Sequence, residues 1–222
     1  MEVLRFENQD RLTESLARLL RETMEAGCDA PFAIMLSGGS TPLPAYALLG
    51  AEPPKIAPGL HLFFSDERHV PTSSDQSNLG AIRPMIRGLA LPEERVLRVW
   101  TELPLEAAAM DYDARLAGFL NRGGSIPLGL LGLGTDGHTA SLFTLDDIQR
   151  ARRGLAVAVP RPQPPDRVSV TPNLLEKIER VVFALCGEDK MEILETLLKS
   201  PRSIPAGRAV ENCARVEVWA SP

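Results

Sequence analysis

Short apolar runs alternate along this chain with segments whose apolar residues recur at helical spacing, and that alternation is the strongest constraint on its fold. "PFAIML", "LHLFF", "IPLGLLGLG" and "RVVFALCG" carry apolar residues at both odd and even positions, as strands buried on two faces must. Between them Leu12, Leu16, Leu19 and Leu20 share a helical face, "LEAAAMDYDARLAGFLNRG" reads as a helix closed by Gly123, and "EDKMEILETLLKS" as another. "SNLGAIRPMIRGL" predicts a helix interrupted by its proline and "NLLEKIER" a further helical segment, while "RVLRVW", "GLAVAV", "RVSVT" and "RVEVWA" supply more strands. The pattern predicts an α/β fold: an open, mostly parallel, Rossmann-like sheet with helices on both faces. One domain over residues 1–222 accounts for the whole length. The proline-rich stretches "AEPPKIAPG" and "PRPQPPDR" read as surface loops, since too little follows either to fold alone.

Composition removes several classes of function. A net charge of −5 and a pI of 5.3 argue against a nucleic-acid binder, which needs a basic surface to neutralise phosphates. Any anionic ligand must then be met by local cations or amides. Cys28, Cys186 and Cys213 are odd in number and widely spaced, which suits reduced thiols better than a disulfide framework or a metal site. No stretch approaches the apolar length of a membrane span, and the acidic N-terminus lacks the apolar region of a secretory signal. The expectation is a cytoplasmic protein, monomeric by preference, that takes a small molecule and neither nucleic acid nor membrane.

In open parallel sheets ligands gather at the carboxyl ends of the strands, so the residues leaving each apolar run carry the functional information. After "AIML" comes Ser37-Gly38-Gly39-Ser40-Thr41-Pro42, with Pro42 placed as a first helical residue. Glycines, hydroxyls and a helix N-terminus together suit an anion, although the same residues would also make a tight turn capped by Ser40 or Thr41. The lysine of a nucleoside-triphosphate loop is absent. After "LHLFF" comes Ser65-Asp66-Glu67-Arg68-His69, where Arg68 could fork onto a phosphate while Asp66 and Glu67 orient it or bind sugar hydroxyls. The alternative is a solvated charged loop. His69 and His61 have no metal-ligand spacing around them and read as peripheral.

The third strand end, "LLGLGTDGHTASLF", satisfies G-x-G-x-x-G through Gly132, Gly134 and Gly137. A dinucleotide site also needs an acidic residue about 20 positions further on, where this chain has "QRARRG". Asp136 and His138 fit the loop better as an orienting carboxylate and a general base. A buried structural histidine is the bland alternative.

Taken together, "SGGSTP", "DERHVP" followed by Ser77 and Asn78, "GLGTDGHTASLF", "PPDRVSVT" and "CGEDKMEIL" resemble, in order, the motifs of the 6-phosphogluconolactonase family. The resemblance implies a fold similar to that of glucosamine-6-phosphate deaminase, hydrolysis of 6-phospho-D-glucono-1,5-lactone to 6-phospho-D-gluconate in the oxidative pentose phosphate pathway, and no metal or organic cofactor. It implies His138 as the base that activates water and Asp136 as the partner that fixes its tautomer. It further implies that Ser37, Gly38, Gly39, Ser40, Thr41, Asp66, Arg68, Asn78, Gly134, Arg167 and Lys190 surround the phosphate and sugar. Amides of the glycine loop are candidate oxyanion donors. The deaminases share a D-G-H turn but continue "DGHIAFNEP", so their glutamate corresponds here to Phe143, which cannot relay protons. A sugar-phosphate-binding regulator without catalysis would need the cradle but not Asp136 and His138.

Overall fold

The computed structural model describes residues 1–26 and 29–222; Cys28 therefore lies outside the described residues. The chain enters through β1 (Glu2–Arg5), α1 (Gln9–Ala26), β2 (Phe32–Leu36), α2 (Leu43–Ala51) and β3 (Leu60–Phe64). It continues through β4 (Asp66–Arg68), α3 (Asn78–Gly88), β5 (Val96–Leu97), α4 (Leu105–Asn121), β6 (Ser125–Leu131) and α5 (Leu145–Arg150). Strands β7 (Ala156–Val159) and β8 (Arg167–Val170), α6 (Pro172–Leu175), β9 (Val181–Cys186), α7 (Met191–Lys199), α8 (Pro205–Ala209) and β10 (Val216–Ser221) complete it.

Seven strands form a parallel sheet in the order β1-β10-β9-β6-β2-β3-β5. Alternation along β2 divides its side chains between two cores. Phe32, Ile34 and Leu36 meet Leu12, Leu16 and Leu20 of α1 and Ile82 of α3, while Ala33 and Met35 face the layer that holds Tyr112, Leu116 and Phe119 of α4. Both faces are thus apolar and covered, which is why the strands read as continuous hydrophobic runs. Each fully buried Leu or Phe adds roughly 1.5–3 kcal/mol of transfer free energy. No helix among the described residues is long and apolar enough to cross a membrane.

The structure departs from the sequence-based expectations at definite points. "LHLFFSDE" is two strands, because Ser65 donates its N–H to Leu36 of the central sheet and gives its carbonyl to Val170 of a second sheet, both at 2.8 Å. That second sheet, β4-β8-β7, is antiparallel and takes in "GLAVAV" and "RVSVT". "RVLRVW" pairs only over Val96–Leu97, after which Arg98 and Thr101 bond back to Val96 and Val99 in local turns. "NLLEKIER" is helical only over Pro172–Leu175, since Ile178 and Glu179 are drawn to Ile126 at the start of β6. Helix α3 runs through Pro84 without interruption.

The connections from β2 and β6, which are neighbours, leave in opposite directions: β2 continues to β3, β6 by way of the second sheet to β9. Their carboxyl ends therefore open a crevice, the place where ligands of such sheets are held.

Candidate active site

The "SGG" turn leaves β2 at this crevice and is pinned from below by a buried tyrosine. Tyr46 of α2 donates its hydroxyl to the Ser37 carbonyl (3.1 Å) and accepts the Ser37 N–H (3.3 Å). Tyr112 of α4 brackets Phe64, the last residue of β3, in the same way (2.6 and 3.0 Å). Burial pushes both phenols above their ordinary value against the opposing backbone hydrogen bond, so they remain donors at any physiological pH. Helix α2 begins at Leu43 with Pro42 at its cap position, and among the described residues no side chain caps it. Ser40 is exposed and neither it nor Thr41 lines the crevice, contrary to expectation, because the chain has already turned away into α2.

The glycine loop after β6 is closed by its own amides. Gly137 donates to Gly134 and Gly134 to His138, both at 2.9 Å, and Thr139 fastens its hydroxyl to the Gly132 carbonyl at 2.8 Å. Gly137 sits at φ +85°, where a side chain would be strained, and a Cβ on Gly134 would overlap both Asp136 and the His138 imidazole. The amides of Gly134 and Gly137 are consequently spent on the turn rather than free for an oxyanion. Those of Gly38 and Gly39 have no protein acceptor among the described residues.

This turn places Asp136 Oδ1 at 2.5 Å from His138 Nδ1 and 3.2 Å from the His138 amide nitrogen. Partial burial pushes the Asp136 carboxyl up, but the hydrogen bond to the imidazole, its charge and the backbone donors outweigh that and hold it below the usual value. The Phe143 ring lies 4.6 Å from the imidazole, centroid to centroid, at 43°. Phe143 is placed by a capping box at α5, in which Asp147 accepts the N–H groups of Phe143 and Thr144.

The second sheet brings the cations. Antiparallel pairing of β4 with β8 sets Arg68 directly opposite Arg167. Burial, then the Arg68 charge, holds the Arg167 guanidinium below its ordinary value. Arg68 Nη1 donates to the Gln76 carbonyl at 2.9 Å, and Arg167 Nη1 donates to the Pro165 carbonyl. Arg68 Nε and Asn78 Oδ1, on two residues that line the crevice, are buried without a partner among the described residues. Asp66 accepts hydroxyls from Ser65 (2.8 Å) and Ser141 (2.7 Å), and its carbonyl takes the Asn78 amide (2.8 Å).

Glu67 does something other than meet a sugar. It is 3% exposed, turned away from the crevice, and accepts the N–H groups of Arg68, Asn78 and Leu79, each at 2.8 Å. It ties the start of α3 to β4. Burial pushes its carboxyl above the usual range, and those three bonds oppose the shift. His69 bonds the Leu103 carbonyl and His61 that of Gly59, both outside the crevice.

What results is a cleft of 340 Å³ that gathers Ser37, Gly38, Gly39, Asp66, Arg68, Asn78, Gly134, His138, Arg167 and Lys190. That volume is in the range of small-ligand sites. Asp136 stands behind His138 rather than on the wall. Gly132, Leu133, Ala140, Ser141 and Phe143 complete the lining. Of these, Ser141 was missed from sequence although it lies on the same loop as His138; only the approach of β4 gives its hydroxyl a carboxylate to bond. A larger groove of 580 Å³ beside α3 reaches Arg83, Arg87 and Trp100, but Arg98 already covers that indole at 3.6 Å.

The chain is similar to known proteins over nearly its whole length. The profile of the family described as "Glucosamine-6-phosphate isomerases/6-phosphogluconolactonase" matches residues 7–219. The chain is 35% identical over 221 residues to human 6-phosphogluconolactonase, spanning 92% of this chain and 84% of that protein. The crystal structure of 6-phosphogluconolactonase from Thermotoga maritima covers 100% of this chain and 99% of its own, with a TM-score of 0.79 and 28% identity. A monomeric glucosamine-6-phosphate deaminase, 17% identical, has the same fold over 100% of this chain and 97% of its own, with a TM-score of 0.80.

Proposed function

We propose, from the premise that this chain belongs to the glucosamine-6-phosphate isomerase/6-phosphogluconolactonase family, that it hydrolyses 6-phospho-D-glucono-1,5-lactone to 6-phospho-D-gluconate with His138 as general base. The observation that carries the reading is the Asp136–His138 pair opening onto the same cleft as Arg68 and Arg167. Asp136 engages Nδ1 and so leaves Nε2 to accept a proton. Water deprotonated by Nε2 adds to the C1 carbonyl, the tetrahedral intermediate expels the ring oxygen, and the imidazolium returns its proton to that oxygen. Asp136 stabilises the imidazolium in between. The amides of Gly38 and Gly39 are candidate donors to the developing oxyanion, whereas those of Gly134 and Gly137 are spent on the turn.

The phosphate fits between the paired guanidiniums of Arg68 and Arg167, with Lys190, Asn78 and the Ser37 turn around it. No metal or organic cofactor enters the reaction as written. Phe143 disfavours the deaminase reading, since its ring can neither give nor take a proton. A sugar-phosphate sensor would have no use for the Asp136–His138 pair. Residues 1–222 are read as one domain that works as a monomer, and widely spaced cysteines support a cytoplasmic setting. The test is to add the protein to freshly prepared lactone and time acid release against spontaneous hydrolysis. Release no faster than the spontaneous rate would remove the assignment.

A further inference from the structure

We infer that Arg161 is a positioning residue for the base: its guanidinium holds the Phe143 ring against His138 and thereby fixes the imidazole plane. The Arg161 guanidinium carbon lies 3.6 Å from the centre of the Phe143 ring, and that ring lies 4.6 Å from the imidazole. Both backbones are anchored by carboxylates, Phe143 by Asp147 (3.1 Å) and Arg161 by Asp166 (2.8 Å). Among the described residues the Arg161 guanidinium makes no ion pair, so the aromatic ring is its principal contact. Asp136 holds one nitrogen of His138 through one oxygen, which leaves the ring free to tip about that bond. A phenyl face against the imidazole removes that freedom, and a cation on the phenyl keeps it in place.

The inference rests on His138 being the base, and it differs from the other use of an arginine here, as a direct phosphate ligand. Arg161 belongs to the loop that ends at Arg167 and is one of the charges that lower Arg167's hold on its proton. A phosphate ligand would act on affinity for phosphorylated substrate alone. A residue acting through Phe143 acts on turnover whatever the substrate carries.

Steady-state kinetics on the phosphorylated lactone and on unphosphorylated gluconolactone separate the two, using wild type, Arg161→Ala, Arg161→Lys, Phe143→Leu, the Arg161→Ala/Phe143→Leu double variant and His138→Ala. Arg161→Ala is expected to lower kcat about 3- to 30-fold with little change in KM, and to lower kcat/KM by the same factor on both substrates. Arg161→Lys recovers part of the loss, and the double variant is no slower than the slower single one. A rise in KM confined to the phosphorylated lactone makes Arg161 a phosphate ligand and overturns the inference, as do additive losses in the double variant. Should the double variant fail to fold by circular dichroism, the comparison of the two substrates with Arg161→Ala decides alone. If His138→Ala keeps its kcat, the base assignment falls and this inference with it. If His138→Ala is slow and Arg161→Ala is not, only the inference falls.

Discussion

Asp136 Oδ1 and His138 Nδ1 stand 2.5 Å apart across a turn whose centre is a glycine of positive φ. The pair is local in sequence yet depends on the whole loop for its geometry. Replacing His138 by Ala should lower kcat by roughly 10²- to 10⁴-fold with a smaller change in KM. Steady-state kinetics of the folded variant check this, and full activity in His138→Ala would exclude the residue.

Gly134→Ala tests the turn itself. Its added methyl must displace both Asp136 and the imidazole, so turnover should collapse as far as in His138→Ala. The central sheet lies beyond this loop, and far-UV circular dichroism should be unchanged. Retained turnover would mean that the pair as described is not the working geometry.

For phosphate recognition, Arg68→Ala should raise KM for the phosphorylated lactone by roughly 10- to 150-fold, the worth of a charge-assisted hydrogen bond. Arg68→Lys should restore part of the loss, because an ammonium keeps the charge and not the planar fork. Unphosphorylated gluconolactone should be turned over poorly, and Arg68→Ala should scarcely worsen it. Equal damage to both substrates would show that Arg68 serves the fold or the lactone ring.

Glucosamine 6-phosphate should release no ammonia above background, because the Phe143 ring cannot relay a proton. Ammonia production comparable in rate to lactone hydrolysis would reverse the assignment.

Glu67 predicts an unusual pH dependence of stability. Its carboxyl is raised in the folded state, so the folded chain binds its proton more tightly than the unfolded chain does. Stability from this group is full below the unfolded carboxylate value and is lost as pH rises through the raised one. Asp136 and Glu217, both held low, work in the opposite direction: their contribution is present above the unfolded value and lost as pH falls. The Tm of wild type relative to that of Glu67→Gln, followed from acid to neutral pH, should therefore fall as pH rises. A constant difference would show that Glu67 titrates alike in both states.

How much of this was legible in the chain depends on how local each feature is. The buried strands β2, β3, β6 and β9 announce themselves because covered parallel strands have no polar face. The D-G-H turn is legible because its pair, its glycines and its hydrogen bonds fall within one loop. Glu67 was misread, since nothing in "SDERHVP" says which carboxylate points at the cleft and which turns back under α3. That depends on Ser65 carrying the chain from one sheet to the other. The roles of Tyr46 and Tyr112 were invisible for the same reason: each hydroxyl finds its backbone partner across a layer, at a separation of 9 residues in one case and 48 in the other. Arg161 stood in a stretch read only as a proline-rich loop, and its ring partner lies on another element.

The register that sets Arg68 opposite Arg167 has a consequence for the life of the protein as well as for its chemistry. Two like charges are held side by side by a strand pairing that cannot slip without turning their neighbours inside out, so the folded chain carries a repulsion that an incoming dianion relieves. Ligand and fold are then linked: whatever binds there draws the folding equilibrium towards the native state, by about 2.7 kcal/mol once its concentration reaches 100 times Kd. A chain with that site empty would lack this contribution and unfold at a lower temperature than the liganded one.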